Sequence, residues 1–414
     1  MPNVLFVSIA FPPKSDAECL QTAKYFHYLQ EDKSLKIEVV TSAIPTLYMK
    51  YDEKLESYAQ GYTNEISVPL KENRWINLFR NRLKLEETVF PDVKQSFHRQ
   101  SGTVIRKLKQ KPDILYSRSY PLSSAIMAYK LQKHLQVPWI MHLSDPWADS
   151  PLHNWSSKYN ERQRTWELKC MEAARYVCMT SLSTIDFYQG KYPHLKNKFL
   201  FFPNVYELKS TREEAPHLDK LFQPNKLTIV FTGAMAADRS PSFFLEPLRQ
   251  LVADEPQFSD KIMVVFAGEA DFRNRSVFEK YRMPCVHYLG KLLFSEALYL
   301  QQRSNMLLLI ANPIEDSRHA MYFPSKLLDY MVTQKRIIAI TTKGSATDMV
   351  MKDLKGDVLE HKNVKEIKEV IRQAICKFSE GDSDYFFNRL IPEKYEAKYN
   401  AGRLAQLIKD VVST

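Results

Sequence analysis

The sequence contains no long apolar run, and none approaches the ~18 consecutive apolar residues that a membrane-spanning helix needs. It has no short repeat and no low-complexity tract, while hydrophobic residues make up 44% of its 414 residues. The first stretch, MPNVLFVSIAFPP, has no basic region before it and no cleavage site after it. We therefore expect a globular chain that begins with a core strand rather than a secretory signal.

Cysteine is scarce, because the chain has five and none stands at the spacing of a metal-binding motif. Their odd number and their scatter argue against a disulfide framework and against structural zinc. We expect a protein of the reducing cytoplasm. The five are Cys19, Cys170, Cys178, Cys285 and Cys376.

Glycine is missing from the first loop in which a ligand would be expected. A buried strand, Val4–Ala10, leads into the loop Pro12–Glu18, and a helix, Leu20–Leu29, and a second strand, Ile37–Thr41, follow. This order opens a doubly wound α/β domain, in which ligands bind beyond the carboxyl ends of the strands. The loop is therefore a candidate site, although a glycine-rich phosphate cradle is not expected there.

Two further strands of this first domain end in polar residues. Asp113–Ser117 is followed by Arg118, and Trp139–Leu143 leads to Asp145. Asp145 is thus predicted to project where α/β folds build their sites. His142 lies within the second of these strands, where internal packing competes with contact to a substrate.

The α/β pattern restarts after a polar segment, Ser210–Asn225, which is the best candidate for a linker. Leu227–Thr232 is predicted as a strand and is followed by Gly233 and by a polar loop with Arg239 and Ser240. Such a loop before a helix can bind phosphate. Two α/β domains of similar size suggest an enzyme with a cleft, a pattern that transferases, epimerases and some binding proteins share.

The stretch YFPSKLLDYMVTQKRIIAIT, Tyr322–Thr341, combines a helix that starts at Pro324 with an apolar strand. Backbone amides at the start of a helix attract a diphosphate, Ser325 can satisfy open amides, and Lys326 adds a mobile cation. Asp329, one turn later, can accept both hydroxyls of a ribose. The stretch therefore predicts a site for a nucleotide diphosphate, and the alternative is a buried α/β helix with a surface lysine.

Positive charge is concentrated in one part of the chain, whose formal net charge is +10. Residues 71–111 hold eleven Lys and Arg against four Asp and Glu, which is most of that excess. Such a segment predicts an anionic partner: a membrane surface, a lipid diphosphate or a nucleic acid. No nucleic-acid-binding motif accompanies the charge, so nucleic acid is not expected as a partner.

Within that segment, RWINLFRNRLKL mixes aromatic and basic side chains in the pattern of a helix that lies in a membrane interface. The alternative is an ordinary amphipathic helix packed on the sheet. The residues predicted to contact an anionic membrane are Arg74, Trp75, Phe79, Arg80, Arg82 and Lys84.

Six pieces of the sequence, in order, resemble a family 4 glycosyltransferase of the GT-B fold, and the resemblance runs over most of the chain. The form Pro-Ser-Lys-Leu-Leu-Asp-Tyr is common in the branch of that family that builds bacterial surface polysaccharides. The six pieces are Val4–Pro13, Pro112–Ser119, Val137–Trp147, Phe202–Asn204, Phe231–Pro241 and Phe323–Tyr330.

The resemblance implies an α/β fold of the GT-B type, with two Rossmann-like domains facing a cleft and a C-terminal helix that crosses back to the first domain. The implied parts are an acceptor domain (1–205), a linker (206–225), a nucleotide-sugar domain (226–392) and the helix (393–414). The implied activity is sugar transfer, with retention, from a nucleotide-sugar to a lipid-linked or saccharide acceptor in lipopolysaccharide, O-antigen or capsule synthesis. No metal or other cofactor is expected, and the enzyme would lie at the cytoplasmic face of the inner membrane.

By the same resemblance, Lys326 and Arg239 would hold the donor diphosphate and would form the catalytic set together with Asp145. Asp145 would face the sugar and the acceptor, with Arg118 across the cleft and His142 also on the acceptor side. The full set implied for the donor is Gly233, Arg239, Ser240, Gly268, Glu269, Ser325, Lys326 and Asp329.

The sequence departs from the family at several positions. Met321 stands where the family often has the first of two glutamates, Val205 stands where glycine is usual, and Gln334-Lys335-Arg336 replaces Gly-Lys-Pro. Two rival functions remain open. One is a nucleotide-sugar 2-epimerase, which shares this fold and needs no acceptor, and the other is a catalytically silent protein that binds sugar nucleotides.

Overall fold

The computed structural model describes the chain except at 44–48, 84–85, 151–154, 209–213, 237, 315–316, 323, 355 and 389. By its internal contacts the chain divides into two compact units. The first contains Met1–Glu207 and Glu393–Thr414, and the second contains Leu208–Pro392.

The first unit is built on a seven-stranded parallel sheet with the order β5-β3-β1-β6-β7-β8-β9, and β2 and β4 form a separate antiparallel pair. Its strands are β1 (Asn3–Val7), β2 (Lys14–Ser15), β3 (Lys36–Ser42), β4 (Lys50–Tyr51), β5 (Asn64–Val68), β6 (Ile114–Ser119), β7 (Trp139–Leu143), β8 (Tyr176–Met179) and β9 (Phe199–Phe201). The helices before the second unit are α1 (Ala17–Leu29), α2 (Arg74–Arg82), α3 (Ser101–Lys107), α4 (Ser123–Leu135), α5 (Ser157–Ala173) and α6 (Leu182–Lys191).

The continuous apolar run at the start of the chain is explained by burial on both faces of this sheet. Leu5 and Val7 join the core on one face, whereas Val4 and Phe6 join the core on the other. Successive side chains of a strand point to opposite faces. A parallel sheet covered on both sides therefore needs apolar residues at every position of its central strands.

The second unit has a six-stranded parallel sheet with the order β12-β11-β10-β13-β14-β15. Its strands are β10 (Leu227–Thr232), β11 (Ile262–Ala267), β12 (Val286–Tyr288), β13 (Met306–Ile310), β14 (Arg336–Ile340) and β15 (Asp357–Leu359). Its helices are α7 (Ser242–Asp254), α8 (Phe272–Lys280), α9 (Phe294–Arg303), α10 (Lys326–Val332), α11 (Ala346–Asp353) and α12 (Val364–Ser379). Two α/β units on parallel sheets confirm the predicted fold class.

The last helix, α13 (Ala397–Ser413), belongs to the first unit. Its buried residues include Leu404, Ile408 and Val411, which recur every three or four positions and join the same core as α1. The ammonium group of Lys409 lies 2.7 Å from the carboxylate of Asp32, just beyond the end of α1. The helix thus covers a face of the first sheet, as predicted.

The segment between the units differs from the predicted linker at 206–225. The second unit already begins at Leu208. Pro216–Leu221 forms a short 3-10 helix, and both Leu218 and Leu221 are buried. Because the segment is polar overall, the sequence did not indicate that these two leucines would be buried. Their burial holds the segment in the second unit.

Among the described helices, none combines the length and the apolar character needed to cross a membrane.

Candidate active site

The second sheet has a switch point between β10 and β13. From β10 the chain continues through β11 and β12 toward one edge of the sheet, and β13, β14 and β15 then extend toward the other edge. In open α/β sheets, ligands bind beyond the carboxyl ends of the strands at such a point. Gly233 follows β10 directly, so its loop has the expected position.

Two glycines approach each other closely at this end of the sheet. Gly233 follows β10 and Gly268 follows β11, with φ angles of +126° and +142°. A Cβ on Gly268 would lie 2.0 Å from the carbonyl oxygen of Gly233. A Cβ on Gly233 would lie 2.8 Å from the Nζ of Lys326. The positive φ angles favour glycine at both positions, and at Gly268 the contact with backbone also leaves no space for a side chain.

The ammonium group of Lys326 is buried, and no described residue provides it with an acidic partner. Its Nζ has no hydrogen-bond partner among the described residues, and it lies 4.0 Å from the centre of the Phe231 ring. Burial, with a smaller contribution from the nearby cation of Arg239, holds the pKa of this amine well below its usual range. Because buried polar groups are normally paired, this amine is suited to receive its partner from an anionic ligand.

Arg239 contributes a second cation to the same place. Its Nη1 donates a hydrogen bond to the carbonyl oxygen of Ala234 at 3.2 Å, whereas its buried Nε has no partner in the described part of the chain. Burial lowers the pKa of the guanidinium. A diphosphate offers both the negative charge and the acceptor oxygens that these two groups need.

Tyr330 anchors α10 beside these cations, a role that was not predicted for it from the sequence. Its hydroxyl oxygen accepts a hydrogen bond from the N–H of Thr232 at 2.9 Å and lies 3.2 Å from the carbonyl oxygen of Leu308. The helix is thereby tied to β10 and β13. Since Lys326 precedes Tyr330 by about one turn, this contact fixes the position of the lysine backbone. The hydroxyl of a buried tyrosine is usually hydrogen-bonded. A tyrosine in a helix expected to be buried could therefore have been recognised from the sequence as an anchoring residue.

The other residues predicted to bind the donor have varied surroundings. Ser325 precedes α10, but its side chain is exposed and makes no capping hydrogen bond, contrary to expectation. Asp329 is half-buried in the first turn of that helix, and the Oγ of Ser240 lies 2.8 Å from the Oγ of Ser242. Glu269 is exposed. Their contacts with a nucleotide stay predictions.

The first sheet has its own switch point, between β1 and β6, and Arg118 lies in β6. This arginine is fully buried. Its Nε donates to the carboxylate of Glu18 at 2.8 Å, and its Nη2 donates to the Oδ1 of Asn204 at 3.1 Å. The hydroxyl of Ser144 donates to the same carboxylate at 2.7 Å. Arg118 was expected to contact the acceptor, but here its guanidinium holds other protein groups instead.

His142 is also fully buried and belongs to the same network. Its Nε2 lies 3.1 Å from the carbonyl oxygen of Phe202, which can only accept, so we assign the proton to Nε2. Its Nδ1 is then the acceptor for the hydroxyl of Tyr116 at 2.7 Å. Burial, and then Arg118, holds the pKa of this imidazole well below its usual range, so the ring is neutral. His142 therefore packs internally rather than facing a substrate.

Two carboxyl groups share the one cation of Arg118. Burial raises the pKa of Glu18 to about 7, although Arg118 and the Ser144 hydroxyl lower it. The Asp145 residue is exposed, yet its carboxyl is surrounded by enough protein that lost hydration raises its pKa to about 6, against the opposing effect of Arg118. Asp145 is thus the accessible member of the network. Glu18 was not predicted individually, because only the loop Pro12–Glu18 was recognised as a candidate.

The chain that follows Asp145 is held by a buried carboxylate, Glu167 of α5. Glu167 accepts hydrogen bonds from the N–H of Ala148 and from the hydroxyls of Tyr188 and Tyr192, each at 2.8 Å. It also forms an ion pair with Lys191. One carboxylate therefore holds all four of these groups. This shared contact fixes the loop that carries Asp145.

The predicted membrane helix presents its large apolar side chains to solvent. Trp75 is 80% exposed and Phe79 is 61% exposed, and both lie on one face of α2 because they are four residues apart. Arg82 is exposed as well, whereas Arg80 is half-buried. The alternative of a helix packed on the sheet is therefore wrong for this face. Lys84 and the side chain of Arg74 lie outside the part of the chain that the structure describes.

No group of three or more His, Cys, Asp or Glu side chains in the described ranges is arranged to hold a metal ion.

Solved structures with a similar fold cover nearly the whole chain. Anabaena HepE in complex with UDP has a TM-score of 0.60 and 12% identity, over 99% of this chain and 100% of that one. A putative UDP-N-acetylglucosamine 2-epimerase from Listeria monocytogenes has a TM-score of 0.59 and 11% identity, over 99% and 96%. The α,α-trehalose 6-phosphate synthase from Burkholderia multivorans has a TM-score of 0.60 and 9% identity, over 100% and 99%. The chain has the GT-B fold.

At these identities the likeness extends to the fold alone. In sequence, no protein-family model and no curated protein matches the chain.

We predict that Glu167→Ala destabilises the first unit by about 3–5 kcal/mol, because the N–H of Ala148 and the hydroxyls of Tyr188 and Tyr192 lose their shared acceptor, although Lys191 keeps its ion pair with Asp149. Urea unfolding followed by circular dichroism measures the loss. The matched control is Glu172→Ala in the same helix, whose side chain is 52% exposed, and it should change stability by no more than about 0.5 kcal/mol. Equal stability of the two variants would contradict the anchoring role of Glu167.

We also predict a pH-dependent effect of Asp145→Asn. The pKa of Asp145 rises from its ordinary 3.8 to about 6 on folding, so the folded state holds the proton more tightly than the unfolded state. Wild-type stability therefore falls, relative to the variant, as pH rises from about 4 through about 6, and the difference is constant above that range. Urea unfolding of both proteins at several pH values measures it, and parallel stability curves would refute the raised pKa.

Proposed function

We propose that this chain is a glycosyltransferase that uses a nucleotide-diphosphate sugar as donor. The observation that carries the proposal is the pair of cations, Lys326 and Arg239, beside Gly233 at the switch point of the second sheet. Lys326 Nζ and Arg239 Nε are buried without hydrogen-bond partners among the described residues. The structure of HepE with UDP, on the same fold, supports a ligand of this chemical class.

In the proposed reaction, the bond between the anomeric carbon of the sugar and the diphosphate oxygen breaks. The nucleotide diphosphate departs with the bonding electrons, and the acceptor oxygen forms its bond on the same face of the sugar. The departing phosphate oxygen takes the proton that the acceptor hydroxyl loses. Negative charge develops on the leaving group, so fixed cations beside it lower the barrier. We assign this role to Lys326 and Arg239.

We assign the acceptor side to the first unit. Asp145 is exposed as a residue, and its carboxyl can accept a hydrogen bond from a sugar or acceptor hydroxyl. Arg118 and His142 are buried behind it. We propose that these two residues position Asp145 and set its charge, rather than touching the substrate.

We propose a lipid-linked or saccharide acceptor of surface polysaccharide synthesis, and a hexosyl or N-acetylhexosaminyl group as the transferred sugar. The exposed apolar face of α2, bordered by Arg80 and Arg82, supports the lipid-linked choice. A helix with aromatic and basic residues of this kind binds the interface of an anionic membrane. The enzyme would then work at the membrane surface where such an acceptor is displayed.

A nucleotide-sugar 2-epimerase is the second candidate, because a putative enzyme of that type shares the fold. An epimerase releases free epimerised sugar nucleotide without any acceptor, so a product assay lacking acceptor separates the two functions. A protein that only binds sugar nucleotides would show neither product. The first experiment is a thermal-shift screen with UDP-, GDP-, ADP- and CMP-sugars, in which the true donor raises Tm.

We predict opposite effects of Lys326→Met on stability and on function. Removal of a buried cation that lacks a partner should stabilise the ligand-free protein by ~1–2 kcal/mol. The same change should lower turnover by ~100-fold or more and abolish the thermal shift caused by the nucleotide, since the charge contact with the leaving group is lost.

The control for that experiment is Lys343→Ala, which removes an exposed cation that follows β14. It should leave both stability and turnover close to those of the wild type. Unchanged turnover in Lys326→Met would refute the assignment of the diphosphate site. A loss of stability in that variant would mean that the lysine has a structural role instead.

For membrane binding, we predict that Trp75→Ser and Phe79→Ser each weaken association with anionic vesicles about tenfold or more, because each removes a large apolar side chain from the interface. Vesicle flotation measures this. Phe272→Ser is the control, since Phe272 is 88% exposed but belongs to the second unit. If all three variants bind as the wild type does, α2 does not mediate membrane association.

A further inference from the structure

The first unit has a cavity of about 380 Å³ beside α2. This volume lies in the ~300–1,000 Å³ range of small-molecule sites. Three cations line the cavity: Lys71 before the helix, Arg80 on the helix and Arg99 across from it. No Asp or Glu is among the ten lining residues. The cavity therefore has the charge of an anion site.

The acids nearest in sequence to this cavity are engaged elsewhere. Glu72 forms an ion pair with Lys94, and both side chains are almost completely buried. Asp92 accepts hydrogen bonds from the N–H and the hydroxyl of Ser123, at 2.9 Å and 2.7 Å. Neither carboxylate is directed to the cations of the cavity. Their positive charge is thus not cancelled by the neighbouring acids.

The three cations retain donors for a ligand. Within the described ranges, Lys71, Arg80 and Arg99 form no ion pair. Arg99 donates one hydrogen bond from Nη2 to the Oε1 of Gln95, at 2.6 Å, and its remaining N–H groups have no protein acceptor among the described residues. The backbone N–H of Lys71 donates to the Oγ of Ser96 at 3.0 Å, which holds that backbone in place.

Part of the cavity wall is apolar and continues into the exposed face of α2. Ile76 and Val93 line the cavity, and they are 47% and 37% exposed. Trp75 and Phe79 extend the apolar surface along the same helix. A ligand with an anionic group and an adjoining hydrocarbon part matches this arrangement, because the cations and the apolar side chains are contiguous.

We propose that this cavity binds the phosphate group of an anionic phospholipid when the apolar face of α2 enters the membrane interface. This proposal rests on the membrane association described under Proposed function. A phosphate monoester carries about −1.5 to −2 charges at neutral pH, more than the single charge of a phosphodiester. Three clustered cations therefore favour phosphatidic acid over phosphatidylglycerol.

The experiment compares two kinds of vesicle with the full chain. Both contain phosphatidylcholine, together with either phosphatidic acid or phosphatidylglycerol at fractions that give the same zeta potential. A protein that binds only through dispersed surface charges responds to the surface potential and not to the headgroup. Such a protein would bind both vesicles with the same affinity. We expect the wild type to bind the phosphatidic acid vesicles about tenfold more tightly, which corresponds to one or two additional charge contacts.

The test variant is Lys71→Gln with Arg99→Gln, and the control is Lys107→Gln with Lys109→Gln. Both remove two positive charges from the basic segment, and the control positions are exposed and outside the cavity lining. We expect the ratio of affinities for the two vesicles to fall to about one in the test variant and to stay near ten in the control. A far-ultraviolet circular dichroism spectrum and a Tm equal to those of the wild type verify that each variant is folded.

The outcomes separate this proposal from the one it rests on. Binding of the wild type to neither vesicle overturns membrane association and this site together, whereas equal binding to both overturns the headgroup site alone. The headgroup site is also overturned if the ratio of affinities for the two vesicles falls equally in the test and control variants. If soluble glycerol 3-phosphate shifts Tm of the wild type and no vesicle preference exists, the ligand is a soluble phosphate and the lipid assignment is wrong.

Discussion

Two basic groups, Lys326 and Arg239, are held close together with no acidic partner among the residues that the structure describes, and this constraint shapes the second unit. Burial of Lys326 and the nearness of Arg239 both disfavour the ammonium form, so the arrangement opposes folding rather than assisting it. The surrounding structure nevertheless enforces it. Tyr330 fixes the helix that carries the lysine, and the missing side chain of Gly233 leaves the space that the lysine Nζ occupies beside that backbone. Such an arrangement is stable only because the rest of the sheet determines it.

In the first unit, by contrast, the buried charges have hydrogen-bond partners within the protein. Arg118 is surrounded by Glu18, Asn204 and His142, and Glu167 satisfies each donor around it. Fully satisfied polar networks restrict a site to one geometry. The carboxyl of Asp145 lies beside the Arg118 network, and the Glu167 network holds the chain that follows it. Its orientation and its proton affinity are therefore properties of the whole unit rather than of its own loop.

The sequence was informative where a site is made from neighbours along the chain. The strand β10 with Gly233 and the segment from Ser325 to Asp329 were identified from local spacing, and the structure brings Gly233, Arg239 and Lys326 together. The partners of Arg118 could not be identified in this way. Glu18 and Asn204 are separated from it by 100 and 86 residues, and no local periodicity reports a contact of that range.

The amphipathic pattern of α2 marks a second limit of sequence reasoning. The spacing of Trp75 and Phe79 shows that they share a face, but the same spacing serves a helix packed on a core and a helix open to solvent. Only the surroundings distinguish the two. The structure leaves these side chains exposed, and the cations beside the helix line a cavity that no one-dimensional pattern would have revealed.

The position of α13 has a consequence for how the protein is made. Residues of this helix complete the core on the face of the first sheet that also contains Val4, Phe6 and the helix α1. A ribosome delivers that helix only after the entire second unit has emerged. Until then the first unit presents an uncovered apolar face to solvent, and nascent chains with such surfaces are prone to aggregate. Closure of this face therefore follows the synthesis of the second unit, and the interval before it is the period in which chaperones would be needed.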